Sequence, residues 1–110
     1  MAEKDNLQEM QIIEQSLQNL LLQKNTFQME LSETQSALAE IEKSGDEVYK
    51  IIGQLMIRAE KSKIKEELIN KEKIIELRLK TIEKQEISFV EKLESLRDEI
   101  MKNRENKKNK

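Results

Sequence analysis

Glu72 and Glu86, with Lys24 and Thr34, are the polar residues whose placement could do chemistry, because each falls on an otherwise apolar helix face. Paired carboxylates can act as general acid and base, but only where a pocket holds a substrate and excludes water. A seam between two helices offers no such pocket. Glu86 is set to face Leu20 and to lie one turn from Lys24, so the spacing predicts a cross-seam ion pair that fixes register at some cost in stability. The chain has no Cys and no His. Thiol chemistry, disulfides and the usual zinc ligands are therefore excluded, and no metal-loop spacing of carboxylates is present. Lys102, Arg104, Lys107, Lys108 and Lys110 form a positive run that could meet phosphates. No aromatic side chain among them could stack a base and the whole chain carries a net charge of −2, so the run reads as a solvated helix end. The expectation is a protein that is not an enzyme, has no cofactor and does not act on nucleic acid.

The elements that carry these residues are two heptad runs. Steps of three and four from Met10 land on Ile13, Leu17, Leu20, Lys24, Phe27, Leu31, Thr34, Leu38 and Ile41. The same count from Leu68 lands on Glu72, Ile75, Leu79, Ile82, Glu86, Phe89, Leu93, Leu96 and Ile100. A repeat of 3.5 residues kept over about five heptads predicts a left-handed coiled-coil seam. The first helix is expected over residues 5–44, capped by Asp5 or Asn6 and ended by Gly45 in the left-handed conformation. It would be roughly 55–60 Å long. The second is expected over 62–103, opening at Ser62 with a loose capping box, and residues 104–110 read as a disordered basic tail. Together they would make one domain over residues 1–110.

Between the helices lies a segment of another type. Val48 to Ile52 and Leu55 to Ala59 are β-branched, aromatic or large apolar runs separated by Gly53-Gln54. Gly at the first central position suits a type II′ turn, so a β-hairpin over 47–60 is expected at the bend. Ile52 would face Leu55, and Ile51 would face Met56. One face would show Val48, Ile52, Leu55 and Ile57, the other Tyr49, Ile51 and Met56, and both are apolar. A lone hairpin is marginal in water and its open edges recruit other strands. Val48, Tyr49, Ile51, Ile52, Gly53, Leu55, Met56 and Ile57 are thus the expected assembly element, closing a sheet or barrel with hairpins of other subunits. An antiparallel seam mirrored at Gly53 sets facing residue numbers to a constant near 106, pairing Met10 with Leu96 and Leu31 with Ile75.

Composition agrees with this plan. Charged residues are 38% and aromatics 3% of the 110 residues, with no Pro or Trp. That is a coiled-coil composition, and its apolar content, spent on two stripes, cannot fill a three-dimensional core. Residues 1–45 hold 8 acidic and 3 basic side chains, residues 61–110 hold 11 and 15. Opposite signs favour pairing of the two arms within one chain. No apolar run approaches a membrane span and Met1 to Asp5 contain no signal-peptide core, so a cytoplasmic protein without membrane contact is expected. Apolar residues continue to the free ends, where Leu7, Ile12, Val90 and Met101 lie off the seam and would leave adaptable aliphatic and thioether surface exposed.

Three stretches of the chain closely resemble the beta subunits of archaeal prefoldins. They are Gln23-Lys24-Asn25-Thr26-Phe27-Gln28-Met29-Glu30 running on to Ser32-Glu33-Thr34-Gln35-Ser36-Ala37-Leu38; Val48-Tyr49-Lys50 with Gly53 and Leu55-Met56-Ile57; and Leu77-Arg78-Leu79-Lys80-Thr81-Ile82-Glu83-Lys84-Gln85-Glu86. Their order around a single strand hairpin makes the likeness specific, since the related alpha subunits carry two. The resemblance implies a mainly α fold, an antiparallel two-helix coiled coil with one β-hairpin at the bend, the hairpins joining as β-barrels in a hexamer of two alpha and four beta subunits. It implies an ATP-independent chaperone that grips unfolded clients at the arm tips, lined by Leu7, Met10, Ile13, Leu96, Ile100 and Met101, and passes them to a group II chaperonin. The rival expectation is a passive coiled-coil scaffold or spacer, which would be indifferent to its tips.

Overall fold

A computed structural model describes residues 2–108, with side chains described for 3–106. The chain runs α1 (Ala2–Lys43), β1 (Glu47–Ile52), β2 (Leu55–Glu60) and α2 (Lys61–Lys108). It is mostly helical with one antiparallel two-stranded hairpin between the helices. All twenty heptad positions counted from Met10 and Leu68 are buried or half-buried. The 3.5-residue period in the sequence therefore reports the packed face directly.

The chain divides into two compact units, Met1–Asn25 with Lys80–Lys110, and Thr26–Leu79. In the first, Ile13, Leu20, Ile82, Leu96 and Ile100 are buried. Arg104 Nε donates to Glu3 Oε1 at 2.6 Å and Asn6 Nδ2 donates to Glu99 Oε2 at 3.3 Å, each pair lying within one residue of the expected mirror relation. In the second, Ile41, Ile75 and Thr34 are buried, and the Thr34 hydroxyl donates a hydrogen bond to the Glu30 carbonyl at 2.7 Å, so the buried hydroxyl is satisfied. Arg78 lies over the Phe27 ring at 5.6 Å, again within one residue of that relation.

The helix limits differ from the expected ones at both ends. Asp5 and Asn6 are not caps: α1 already begins at Ala2, and Glu3 and Asp5 sit in its first turn, where negative charge meets the helix dipole favourably. At the other end of the chain α2 does not stop at residue 103 but continues to Lys108. Residues 104–108 are therefore helical rather than a disordered tail, while Lys110 lies outside the described residues. Lys, Glu and Arg are good helix formers, no Gly or Pro interrupts them, and Arg104 is anchored to Glu3.

The C-terminus of α1 is closed by a device other than the expected one. Gly45 does not take the left-handed conformation; among the described residues the only positive φ is that of Gly53. Ser44 does the capping. Its N–H reaches the carbonyls of Glu40 (3.0 Å) and Ile41 (3.3 Å), and its hydroxyl donates to Ile41 O at 2.8 Å. Lys61 Nζ then donates to the Ser44 carbonyl at 2.9 Å, placing a cation at the negative end of α1. α2 starts one residue before the expected Ser62, so β2 passes into it with no intervening loop.

In the hairpin, Ile52 pairs with Leu55, Ile51 with Met56, Lys50 with Ile57, Tyr49 with Arg58 and Val48 with Ala59, the register expected from a two-residue loop. Gly53 has φ of 60° and Gln54 has no positive φ, the combination that defines a type II′ turn and requires Gly first.

Candidate functional site: a bare hairpin and the arm ends

Two strands cannot bury both of their own faces, and this hairpin buries neither. Tyr49, Ile51, Ile52, Leu55, Met56 and Ile57 are all exposed, Ile51 at 70% and Met56 at 67%. Val48 is half-buried. Each such side chain would contribute about 1.5–3 kcal/mol if an assembly buried it fully. The strands carry four charged residues, Glu47, Lys50, Arg58 and Glu60: Glu47 pairs with Arg58 on one face at 3.8 Å, and Lys50 leaves the other face to meet Glu67 of α2 at 3.2 Å. The Lys50 contact joins strand to helix at the exposed surface. A cleft of about 430 Å³ opens where the hairpin meets the helices, lined by Ile41, Val48, Tyr49, Ile64 and Leu68 among others.

Below the hairpin, Glu42 and Lys65 form an ion pair across the helices. The hydrogen bond and charge of Lys65 hold the Glu42 carboxyl below its ordinary value of 4.5, with a smaller contribution from Lys61. A depressed carboxylate pKa means that the native state favours the ionised form, so its stabilisation is present above the unfolded pKa and lost as pH falls through the folded one. We expect acid to weaken this end of the arm below pH 4.5, and Glu42→Gln to remove that part of the response while lowering neutral-pH stability slightly. Thermal unfolding followed across this pH range for both chains checks it; equal acid sensitivity would rule the pair out as the cause.

The arm-end residues expected to grip clients separate into two groups. Leu7 and Met101 are exposed, Met10 is half-buried, and Ile13, Leu96 and Ile100 are buried in the seam. The last three hold the helices together and have little surface to offer. Exposed apolar residues not anticipated from the seam count include Leu21, Leu22 and Ile87 in the same unit and Met29, Ile74 and Leu77 in the other. Lys24 and Glu86 do meet, Nζ to Oε1 at 3.4 Å, with both side chains only about a quarter exposed. The Glu86 Oε1 atom is shielded from solvent and has no hydrogen bond, so the pair is held by charge alone. Among the described residues no helix is long and apolar enough to cross a membrane.

The geometry is thus a hairpin with both apolar faces exposed, carried between two long helices. Residues 4–106 match the family described as Prefoldin subunit, and the chain belongs to that family of chaperone subunits. It is 42% identical over 89 residues to the prefoldin subunit beta of Thermococcus onnurineus, a match covering 79% of this chain and 77% of that protein. It is 33% identical over 99 residues to that of Methanothrix thermoacetophila, covering 88% and 82%. The crystal structure of the prefoldin beta subunit from Thermococcus strain KS-1 superposes with a TM-score of 0.84 at 36% identity, covering 92% of this chain and 90% of that one.

Proposed function

We propose that this chain is a beta-type subunit of a prefoldin hexamer, four copies joining two alpha-type subunits through hairpins that close into β-barrels. The assembly is a cytoplasmic holdase that works without ATP: it captures unfolded proteins at the arm ends and passes them to a group II chaperonin. The observation that supports this reading best is the hairpin with both faces apolar and exposed, which has no use in a lone chain. Arms fixed to one body hold several weak apolar patches at high effective concentration. Each contact lets go singly while together they retain a client, which suits a carrier that releases without nucleotide energy.

The test is light scattering of a chemically unfolded client diluted without nucleotide into the assembly. Leu7→Ser with Met101→Ser is the informative variant, because both side chains are exposed and their loss leaves the buried seam intact. Wild type should suppress aggregation and the variant should lose most of that suppression at equal concentration. Equal suppression by both would move capture away from the tips, and no suppression by either would leave the scaffold reading.

A further inference from the structure

The sulfur of this chain is all in methionine, because it has no Cys to meet an oxidant first. Met10 is half-buried, whereas Met29, Met56 and Met101 are exposed at 65%, 67% and 58%. Met29 and Met101 stand on the helices. Met56 lies in β2, directly opposite Ile51 and one pair in from Ile52 and Leu55, which close the two-residue turn.

That place in the ladder sets what Met56 does. The pair that closes a two-residue turn exchanges its backbone hydrogen bonds, so the next pair, Ile51 with Met56, does not. Its two side chains therefore approach closely across the strands, and its backbone N–H and C=O groups point outward along the open edges. Met56 contributes to both parts of a strand joint: its thioether to an apolar face, and its main chain to the edge that another strand would take.

We propose that Met56 is a modification site for hydroperoxides: its sulfoxide blocks assembly of a free chain, and assembly once made protects the thioether. The inference rests on the hairpin being the assembly element and adds a covalent control to it. In the step, the sulfur lone pair attacks the terminal peroxide oxygen, and the O–O bond breaks as the S–O bond forms. The proton of the transferred hydroxyl passes to the departing oxygen, which leaves as water or an alcohol. Sulfur thus gives up two electrons and the peroxide takes them. The thioether is a flexible apolar side chain that adapts to a covering surface, while the sulfoxide is polar and has to be desolvated there. Oxidation follows exposure, so a joint that covers Met56 also keeps peroxide from its sulfur. Which event comes first decides whether the chain assembles.

The test starts from the isolated full-length chain, treated with hydrogen peroxide, freed of it by catalase and mapped by peptide mass for the added oxygen. Sedimentation velocity then follows its assembly with the alpha-type partner. Chain carrying the Met56 sulfoxide should need about tenfold more protein to assemble, or more still. Met56→Leu, oxidised at its other methionines, should assemble as its untreated form does, since Leu takes the place of Met at similar volume. A methionine sulfoxide reductase should restore the oxidised wild type. Peroxide added after assembly should modify Met56 at least about tenfold more slowly than in the free chain, with the exposed Met29 of α1 as the unchanged reference. Normal assembly of the Met56 sulfoxide, equal loss in oxidised Met56→Leu, or a loss that reduction does not reverse overturns the proposal. So does equal oxidation of Met56 before and after assembly. Untreated chain that does not assemble with its partner overturns the hairpin reading itself, and the control falls with it.

Discussion

A chain carrying Ile51→Lys and Met56→Lys is expected to remain a helical hairpin and to lose its assembly. Ile51 and Met56 are direct cross-strand partners, both about two-thirds or more exposed, so they touch little within the chain and would be buried only by another subunit. Burial of each would contribute about 1.5–3 kcal/mol, and two lysines in their place would have to be desolvated side by side. Losing even 3 kcal/mol per hairpin weakens association by roughly a hundredfold at each joint, and a ring of joints multiplies that loss. Sedimentation velocity should show monomers with an unchanged helical circular dichroism signal. Ile51→Thr with Met56→Thr keeps strand propensity without charge and should give a weaker, concentration-dependent assembly. Normal hexamers from the lysine variant would sink the assembly role of this face.

The second large effect concerns Lys24 and Glu86. Replacing Lys24 with Ala should cost about 1–3 kcal/mol, because it removes the cation paired with a Glu86 carboxylate whose Oε1 atom is shielded from solvent and has no hydrogen bond. Replacing both with Leu should reverse the sign, raising stability by about 1–4 kcal/mol as an uninterrupted apolar layer forms. That gain has a consequence for specificity, since a seam without its polar layer no longer penalises a slip of one helix along the other. Denaturant unfolding of both variants, with cysteine cross-linking of the double variant to report register, checks the pair of expectations. A double variant less stable than wild type would mean that the ion pair contributes net stability beyond register.

How far the sequence could be read follows from what each signal encodes. A strict 3.5-residue period has one physical reading, a helix face turned to a partner, and so the seam from Met10 to Ile41 and from Leu68 to Ile100 was legible residue by residue. Ile52-Gly53-Gln54-Leu55 was equally direct, because only Gly tolerates the first position of that turn. Helix ends were not, since Gly45 carries the composition of a left-handed cap while the actual cap joins Ser44 to Lys61 across the bend, a contact between residues distant in sequence. The extension of α2 past residue 103 is accompanied by a contact of Arg104 with Glu3, which lies at the opposite end of the chain. For the arm end, counting a and d finds the residues that hold the seam, and Ile13, Leu96 and Ile100 are buried there because they belong to it, while the exposed Leu21 and Ile87 lie off that count.

The two routes out of the hairpin are unequal. β1 is joined to α1 through Ser44, Gly45 and Asp46, while β2 becomes α2 at Glu60 and Lys61 with nothing between. The direct joint is a phase lock between two repeats, one of two residues and one of 3.5. A single residue inserted there would turn the whole of α2 by about 100° against the strand, carrying its apolar stripe away from α1. The same insertion beside Gly45 falls in irregular chain that can take up the extra length. A change of length is therefore expected to be absorbed at the entrance to the hairpin and to misplace the seam at its exit.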